Sequence, residues 1–569
     1  MSGHGASGVS TARIDVLAEL DDEQRQAATC VNGPLLVVAP AGSGKTRTIS
    51  RRIAHAVRTG THEPAHTLAV SFTNRAAGQL REQLMTLGVG EVASRTFHSA
   101  ALMQLRFFWE QGSNPPLPRI RGNRQSVLAA IAGDDRWGLD SGEAAIAVSL
   151  IDAAKSRAFD ADRIGEFIKG QRLVAVGAVD VDVVADVYKR YEDDNLREGF
   201  MDFDDVLARL VAMLDDDSAA AATVQRRYRH ITVDEFQDAS LMQRALLRLW
   251  TGPSRDICVV GDRHQSIYGF AGVVDDSLAW FRRNYPGCEE VALRTCYRSS
   301  VAVVEFGSGV RRELGETISV RAHRADRGIV RTLPVQADDS AEAEAVAAAI
   351  SESISNGVEP SDIAVLFRIG AQARLIREAL AFAGVPVVDD GAAGFFSRPA
   401  VMRSLTLLRG MSKDPASATM NLTDAVADVL STAGWRPQAP SQAAESTSPD
   451  WLLLEALSRH AQQMMLAAPE TSLADFIADL DYRREVALPP VVHAVSLLTV
   501  HASKGLEWAH VYVIGVSQGL FPFGRDLSDD TMAEEQRLFY VAATRAAESL
   551  TLSAHGRPSP FLPSVSAAS

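Results

Sequence analysis

A short apolar stretch, Leu35-Leu36-Val37-Val38, runs directly into Ala39-Pro40-Ala41-Gly42-Ser43-Gly44-Lys45-Thr46 and then into a helix-forming run that opens with Arg47. No other feature constrains the fold as tightly. A strand, a glycine-rich turn and a helix start, in that order, aim backbone N–H groups and the positive end of a helix at an anion. In a phosphate loop of this form the lysine, here Lys45, reaches the β- and γ-phosphates, and the hydroxyl, here Thr46, ligates Mg²⁺. Ala39 stands where such loops usually begin with glycine.

A second element completes the chemistry. Asp234-Glu235-Phe236-Gln237-Asp238 follows the apolar run Ile231-Thr232-Val233. An acidic pair at a strand end supplies the metal-holding aspartate and the water-orienting glutamate of nucleoside-triphosphate hydrolysis. Lys45, Asp234 and Glu235 are therefore expected catalytic residues, with ATP and Mg²⁺ as the groups they handle and Thr46 and Asp234 as the metal ligands.

The 569-residue chain is long enough for about four domains. Its net charge of −14 argues against a uniformly basic nucleic-acid binder but leaves room for a local basic groove. Cys30, Cys258, Cys288 and Cys296 are scattered, with no Cys-x-x-Cys pair, which speaks against a zinc site and for a reducing compartment. No apolar run approaches the ~18 residues of a membrane span, and residues 1–10 are small and polar rather than a signal peptide, so a cytoplasmic protein is expected.

Short apolar runs alternate with helical stretches through most of the chain. Residues 35–38, 68–72, 231–233 and 257–260 read as buried strands of one parallel sheet; 363–367, 497–500 and 511–514 read as a second group. Residues 102–214 and 404–488 break the alternation and read as helical insertions, the second holding a Pro/Ser/Gln-rich loop at 436–450. Strands alternating with helices place sites at the strand C-terminal ends.

Further motifs sit at those ends. They are Leu20-Asp21-Asp22-Glu23-Gln24-Arg25-Gln26-Ala27, Ser71-Phe72-Thr73-Asn74-Arg75-Ala76-Ala77, Thr96-Phe97-His98-Ser99 and Gly261-Asp262-Arg263-His264-Gln265-Ser266-Ile267-Tyr268-Gly269-Phe270. Cys296-Tyr297-Arg298-Ser299, Thr499-Val500-His501-Ala502-Ser503-Lys504-Gly505-Leu506-Glu507 and the run from Glu534 to Ala546 follow. In this order, the set resembles the UvrD/Rep/PcrA branch of superfamily 1 DNA helicases over nearly the whole chain. Residues 71–109 and the short second insertion look closest to the mycobacterial UvrD-like subgroup with a reduced 2B region. Those proteins continue into a small helical HRDC module; with the sequence ending at Ser569, no such module is expected here.

The resemblance implies an α/β fold of two RecA-like P-loop NTPase domains with parallel sheets, each carrying a helical insertion. Domain 1A is expected at 1–101 and 215–292, 1B at 102–214, 2A at 293–403 and 489–569, and a reduced 2B at 404–488. It also implies an ATP-dependent helicase moving 3′ to 5′, acting on single-stranded DNA and ss/ds DNA junctions as a monomer or weak dimer. For ATP, it adds to the loop residues Gln24 as an adenine-pairing amide, Tyr297 as an adenine-stacking ring, Arg298 and Arg545 as γ-phosphate arginines, and Arg47 and Glu507. Gln265 resembles the residue that couples γ-phosphate status to DNA. Phe72, Tyr268, Phe270 and Phe203 resemble base-stacking aromatics, and each stacked base contributes roughly 1–3 kcal/mol. Thr73, Asn74, His98, His501 and Lys504 fit a backbone track.

Some positions depart from the pattern. Ala271 replaces the usual arginine after the aromatic pair, and Arg263-His264 replaces a commonly acidic or amide pair, adding charge near the track. Two other readings compete: the motor of a helicase–nuclease complex, and a translocase that displaces proteins without unwinding. A fused nuclease is not expected in the 24 residues after Arg545.

Overall fold

The computed structural model describes residues 15–111, 116–170, 179–267, 276–389, 394–414, 420–437, 448–486, 488–524 and 527–562. Two six-stranded sheets, each paired in parallel throughout, form the centre of two α/β bodies. The first runs in the spatial order Ala93–Thr96, Thr67–Ser71, His230–Val233, Ile257–Gly261, Leu35–Val38, Glu289–Ala292. The strand Leu35–Val38 is buried on both faces, as its unbroken apolar run requires. Leu35 and Val37 enter a core under the helices Lys45–Arg58 and Asn74–Thr86, while Leu36 and Val38 face Phe97, Leu246 and Trp250 on the other side. Trp250 satisfies its buried indole N–H on Gln104 Oε1 at 2.8 Å.

The second sheet runs Ile329–Thr332, Ala546–Leu552, Trp508–Val513, Ile363–Phe367, Val495–Thr499, Val387–Asp389. One of its cores packs beneath the helices Val301–Glu313 and Asp529–Ala543, and Ala41 and Ile267 of the first body join that same core. The two bodies therefore share an apolar seam beside the phosphate loop.

Expected strands recur with their ends shifted by at most three residues, and the parallel sheets match the expected α/β class. Ala93–Thr96 and Glu289–Ala292 carry too few apolar residues to have stood out, because each lies at a sheet edge. Among the described residues of 102–214, the regular elements are helices apart from a two-residue pairing of Arg119–Ile120 with Phe200–Met201. Its helices gather around a core of their own that includes Ile151, Val184, Tyr188 and Tyr191. The second helical body packs Val401, Leu405, Leu457 and Phe476 together. The boundaries expected at 101/102, 214/215 and 403/404 fall inside the helices Phe97–Gln111, Phe203–Asp216 and Pro399–Met411. Continuous helices cross these three positions, so composition does not change there.

The second insertion leans on the first body at one tight point. A Cβ on Gly78, in the helix Asn74–Thr86, would lie 2.3 Å from Val486 Cβ. Arg81 and Glu485 pair beside it at 3.0 Å. Gly78→Ala is expected to destabilise the protein by about 1–3 kcal/mol of overpacking despite its better helix propensity. Melting curves should show a lowered Tm, recovered in part when Val486→Gly is added, which removes the clashing Cβ.

Candidate nucleotide site and adjoining groove

The phosphate loop forms because Gly42 and Gly44 take φ of +73° and +79°, a region costly for other residues. Close approach makes a second demand on Gly42, where a Cβ would lie 2.6 Å from Cys296 Sγ and 3.0 Å from Arg298 Cβ of the second body. Tyr297 donates its backbone N–H to Gly42 O at 2.8 Å, so the second body grips the loop directly. Ala39 N–H donates to Gly261 O at 2.9 Å and Ser43 Oγ to Pro40 O at 2.7 Å, which holds the turn from within.

Strand ends deliver the charged groups. Asp234 ends the strand His230–Val233, and Glu235 then takes a left-handed φ of +53°. For a non-glycine residue that conformation costs on the order of 1–3 kcal/mol and is typical of functional sites. It turns the Glu235 carboxylate onto Lys45, whose Nζ lies 2.8 Å away. Burial alone would lower the Lys45 pKa, but Glu235 and Asp234 outweigh it and hold the ammonium charged. Burial, reinforced by the Glu235 carboxylate, raises Asp234. Burial pushes Glu235 up as well, yet Lys45 and Lys504 prevail and keep it ionised. The Thr46 hydroxyl hydrogen-bonds Asp234. A hydroxyl beside a carboxylate is a hard oxygen donor set, which suits Mg²⁺.

A cleft of about 490 Å³ collects these groups with others from both bodies. The whole loop from Ala41 to Arg47 lines it, with Asp234, Glu235, Gln265, Tyr297, Arg298, Lys504, Glu507 and Arg545. Arg298 pairs with Glu507 and donates to Thr544 O at 3.4 Å. Arg545 is buried; it donates to Val541 O at 3.0 Å and Leu506 O at 3.1 Å, and burial with the nearby Arg298 lowers it to about 10. Arg47 is held on Glu19 Oε2 at 3.0 Å. Gln24 is buried and donates to Ser43 O at 3.0 Å, so its amide braces the phosphate loop. Tyr297 reaches Asp21 Oδ2 through its hydroxyl at 2.6 Å.

Beside the cleft lies a cavity of about 550 Å³ between the first sheet and the first insertion. Phe72 and Asp238 line both spaces and so form the wall they share. His98 lines the cavity and stacks on the half-exposed Phe203 at 4.1 Å. Burial lowers both His98 and His501 to about 4, so each meets a ligand as a neutral ring. Thr73 caps the helix Asn74–Thr86 by accepting from Ala76 N–H at 3.1 Å, with both Thr73 and Asn74 exposed. Lys504 points into the cleft, donating to Asp238 and to Gln265 O. Tyr268 and Phe270, like Ala271, lie outside the described residues. His264, expected to add charge near the track, is instead buried against Glu316.

Two residues of this arrangement had motifs but no assigned role. Arg75 lines the cleft, and burial lowers its pKa. Asp238 closes the acidic run, and burial raises it to about 6. Their distance in sequence from the groups they face concealed them.

The model for the UvrD/REP helicase N-terminal domain matches residues 20–286, and that for the UvrD-like helicase C-terminal domain matches 291–426 and 452–557. The chain belongs to the UvrD/REP helicase family. Its relatives in that family include the ATP-dependent DNA helicase UvrD2 of Mycobacterium tuberculosis, 35% identical over 96% of this chain and 80% of that protein. PcrA of Bacillus subtilis is 27% identical over 94% of this chain and 83% of its own length. PcrA of Staphylococcus aureus is 26% identical over 96% and 86%. As a UvrD/REP family member, the chain carries both halves of the motor, and the N-terminal model covers the phosphate loop and the acidic pair. Among the described residues, no helix is long and apolar enough to cross a membrane.

Lys45→Ala and Glu235→Gln should each reduce ATP turnover on the order of 10²–10⁴-fold with the fold intact. Steady-state phosphate release and circular dichroism check this, and near-normal turnover in Glu235→Gln would remove that residue from the chemistry.

Proposed function

We propose that the chain is an ATP-dependent DNA helicase of the UvrD/PcrA type that travels 3′ to 5′ along single-stranded DNA and opens ss/ds junctions, as a monomer or weak dimer, in cytoplasmic DNA repair or replication restart. One observation carries the reading. Groups from both α/β bodies meet in one cleft, with the phosphate loop and acidic pair on one side and two arginines on the other. A nucleotide between them joins the bodies, and its hydrolysis loosens them.

Each residue has a task that its surroundings allow. Backbone N–H groups of the loop take the phosphates, and Lys45 exchanges its carboxylate partner for phosphate oxygens. Glu235 orients the attacking water and accepts its proton, which its ionised state permits. Mg²⁺, held by Thr46 and Asp234, would neutralise charge on the transferring phosphoryl group. Arg298 and Arg545 meet the charge that develops at the γ-phosphate; a guanidinium suits that work because it stays protonated and is planar. Gln265 lines the nucleotide cleft and, in this reading, reports the state of the γ-phosphate to the DNA.

DNA takes the adjoining cavity. Phe72 serves as a stacking platform on the wall it shares with the nucleotide, with His98 and Phe203 beside it, and the motif assigns Tyr268 and Phe270 the same stacking role. Thr73, Asn74 and His501 offer neutral hydrogen-bonding contacts to the strand. Lys504 would add a cationic contact to the strand, and binding would weaken as salt rises because such phosphate contacts release counterions.

Arg298→Ala and Arg545→Ala are expected to lower kcat on the order of 10³-fold while altering ATP binding far less. Normal hydrolysis in both variants would displace the nucleotide from the interdomain cleft. Polarity is tested with duplexes bearing only a 3′ or only a 5′ tail. Unwinding confined to the 3′-tailed duplex is expected; confined to the 5′-tailed duplex, it would reverse the direction, and ATPase without unwinding of either would make the protein a translocase.

A further inference from the structure

The loop after the strand Ile257–Gly261 is held by the second body at four residues within a five-residue span. Tyr540 donates its hydroxyl to Asp262 Oδ2 at 3.2 Å, and the Tyr540 hydroxyl oxygen accepts from Ala41 N–H at 3.4 Å. Lys504 reaches Gln265 O at 2.6 Å, and Arg537 reaches Ser266 O at 3.1 Å. His264 makes the fourth attachment, its Nε2 lying 3.0 Å from Glu316 Oε2.

This fourth attachment joins two side chains, and neither lines the cleft. His264 is 1% exposed. Glu316 is anchored in its own body, where Oε1 accepts from Thr317 N–H at 2.8 Å and Ile318 N–H at 3.0 Å. Its other oxygen is shared between His264 and Arg311, a buried guanidinium 3.4 Å away on the helix Val301–Glu313. The line continues toward the nucleotide. His264 N–H donates to Asp262 Oδ1 at 3.1 Å, and Gln265 Nε2 donates to Asp262 Oδ2 at 2.9 Å. A shift of Glu316 must therefore move His264, and with it the carboxylate on which Gln265 rests.

We propose that His264, Glu316 and Arg311 form a latch between the two α/β bodies through which the second body sets the position of Gln265. The proposal rests on the nucleotide-cleft reading above and makes His264 a positioning residue for that reaction. Burial lowers the pKa of His264, so it serves as a neutral donor to an ionised acceptor, and Glu316 sits at about 2 because its backbone and side-chain donors outweigh burial. A hydrogen bond of that kind, shielded from water, is short-ranged: it is either made or broken as the bodies separate.

The test compares single and double variants in the full chain. His264→Leu fills the site without a donor, His264→Gln keeps a donor near the Nε2 position, and Glu316→Leu removes the acceptor. DNA-stimulated kcat is expected to fall about tenfold in each Leu variant, with the double variant no lower than the worse single, because contacting groups act as one unit. KM for ATP should change much less, and His264→Gln should recover most of the loss. If His264→Leu does not fold, His264→Asn, whose amide is too short to reach Glu316, replaces it. Equal kcat in the donor-bearing and donor-lacking variants, or losses that multiply in the double variant, would overturn the latch while leaving the cleft reading in place. An unmodified protein that does not hydrolyse ATP would overturn both.

Discussion

The ion pair between Lys45 and Glu235 sets the terms for everything around it. A cation and an anion placed this deep require each other, since either alone carries a large desolvation cost. The pair forms only because two strands far apart in sequence end at the same edge of one sheet, flanking Ile257–Gly261, and because Glu235 accepts a left-handed backbone. In the proposed mechanism a phosphate on Lys45 would release Glu235, so that this one contact would link occupancy of the loop to the readiness of the proposed water-orienting carboxylate.

The second body answers that pair with cations of its own. Arg298 and Arg545 lie close enough to repel, and Glu507 and a set of backbone carbonyls hold them in place. Tyr540 threads between the phosphate loop and Asp262, touching both. The apolar seam through Ala41 and Ile267 packs beneath these polar contacts. Two bodies joined by a thin apolar seam and a few directional bonds can close and open without unfolding either, because each sheet keeps its own cores on both faces.

Much of this was legible from local patterns. The strand–loop–helix order at Leu35–Arg47 allows one geometry, and the structure adopts it down to the positive φ of Gly42 and Gly44. Residues 231–238 likewise read as a strand ending in acid. Edge strands were harder: Glu289–Ala292 exposes both glutamates and has no hydrophobic signal to give. His264 was misjudged for a related reason. A histidine after aspartate and arginine reads as a solvated charge, and nothing within twenty residues of it announces Glu316.

What the sequence determined by itself was therefore the chemistry available at each strand end, because a few adjacent residues specify a turn, a helix start or a carboxylate pair. Only the tertiary structure decided which of those ends share a cleft. Gln24 on Ser43 O, Arg298 on Glu507, Lys504 on Asp238 and His264 on Glu316 are contacts between residues from 19 to 266 positions apart. Their partners are chosen by how two sheets and their helices pack, and packing is a property of the whole chain rather than of any segment.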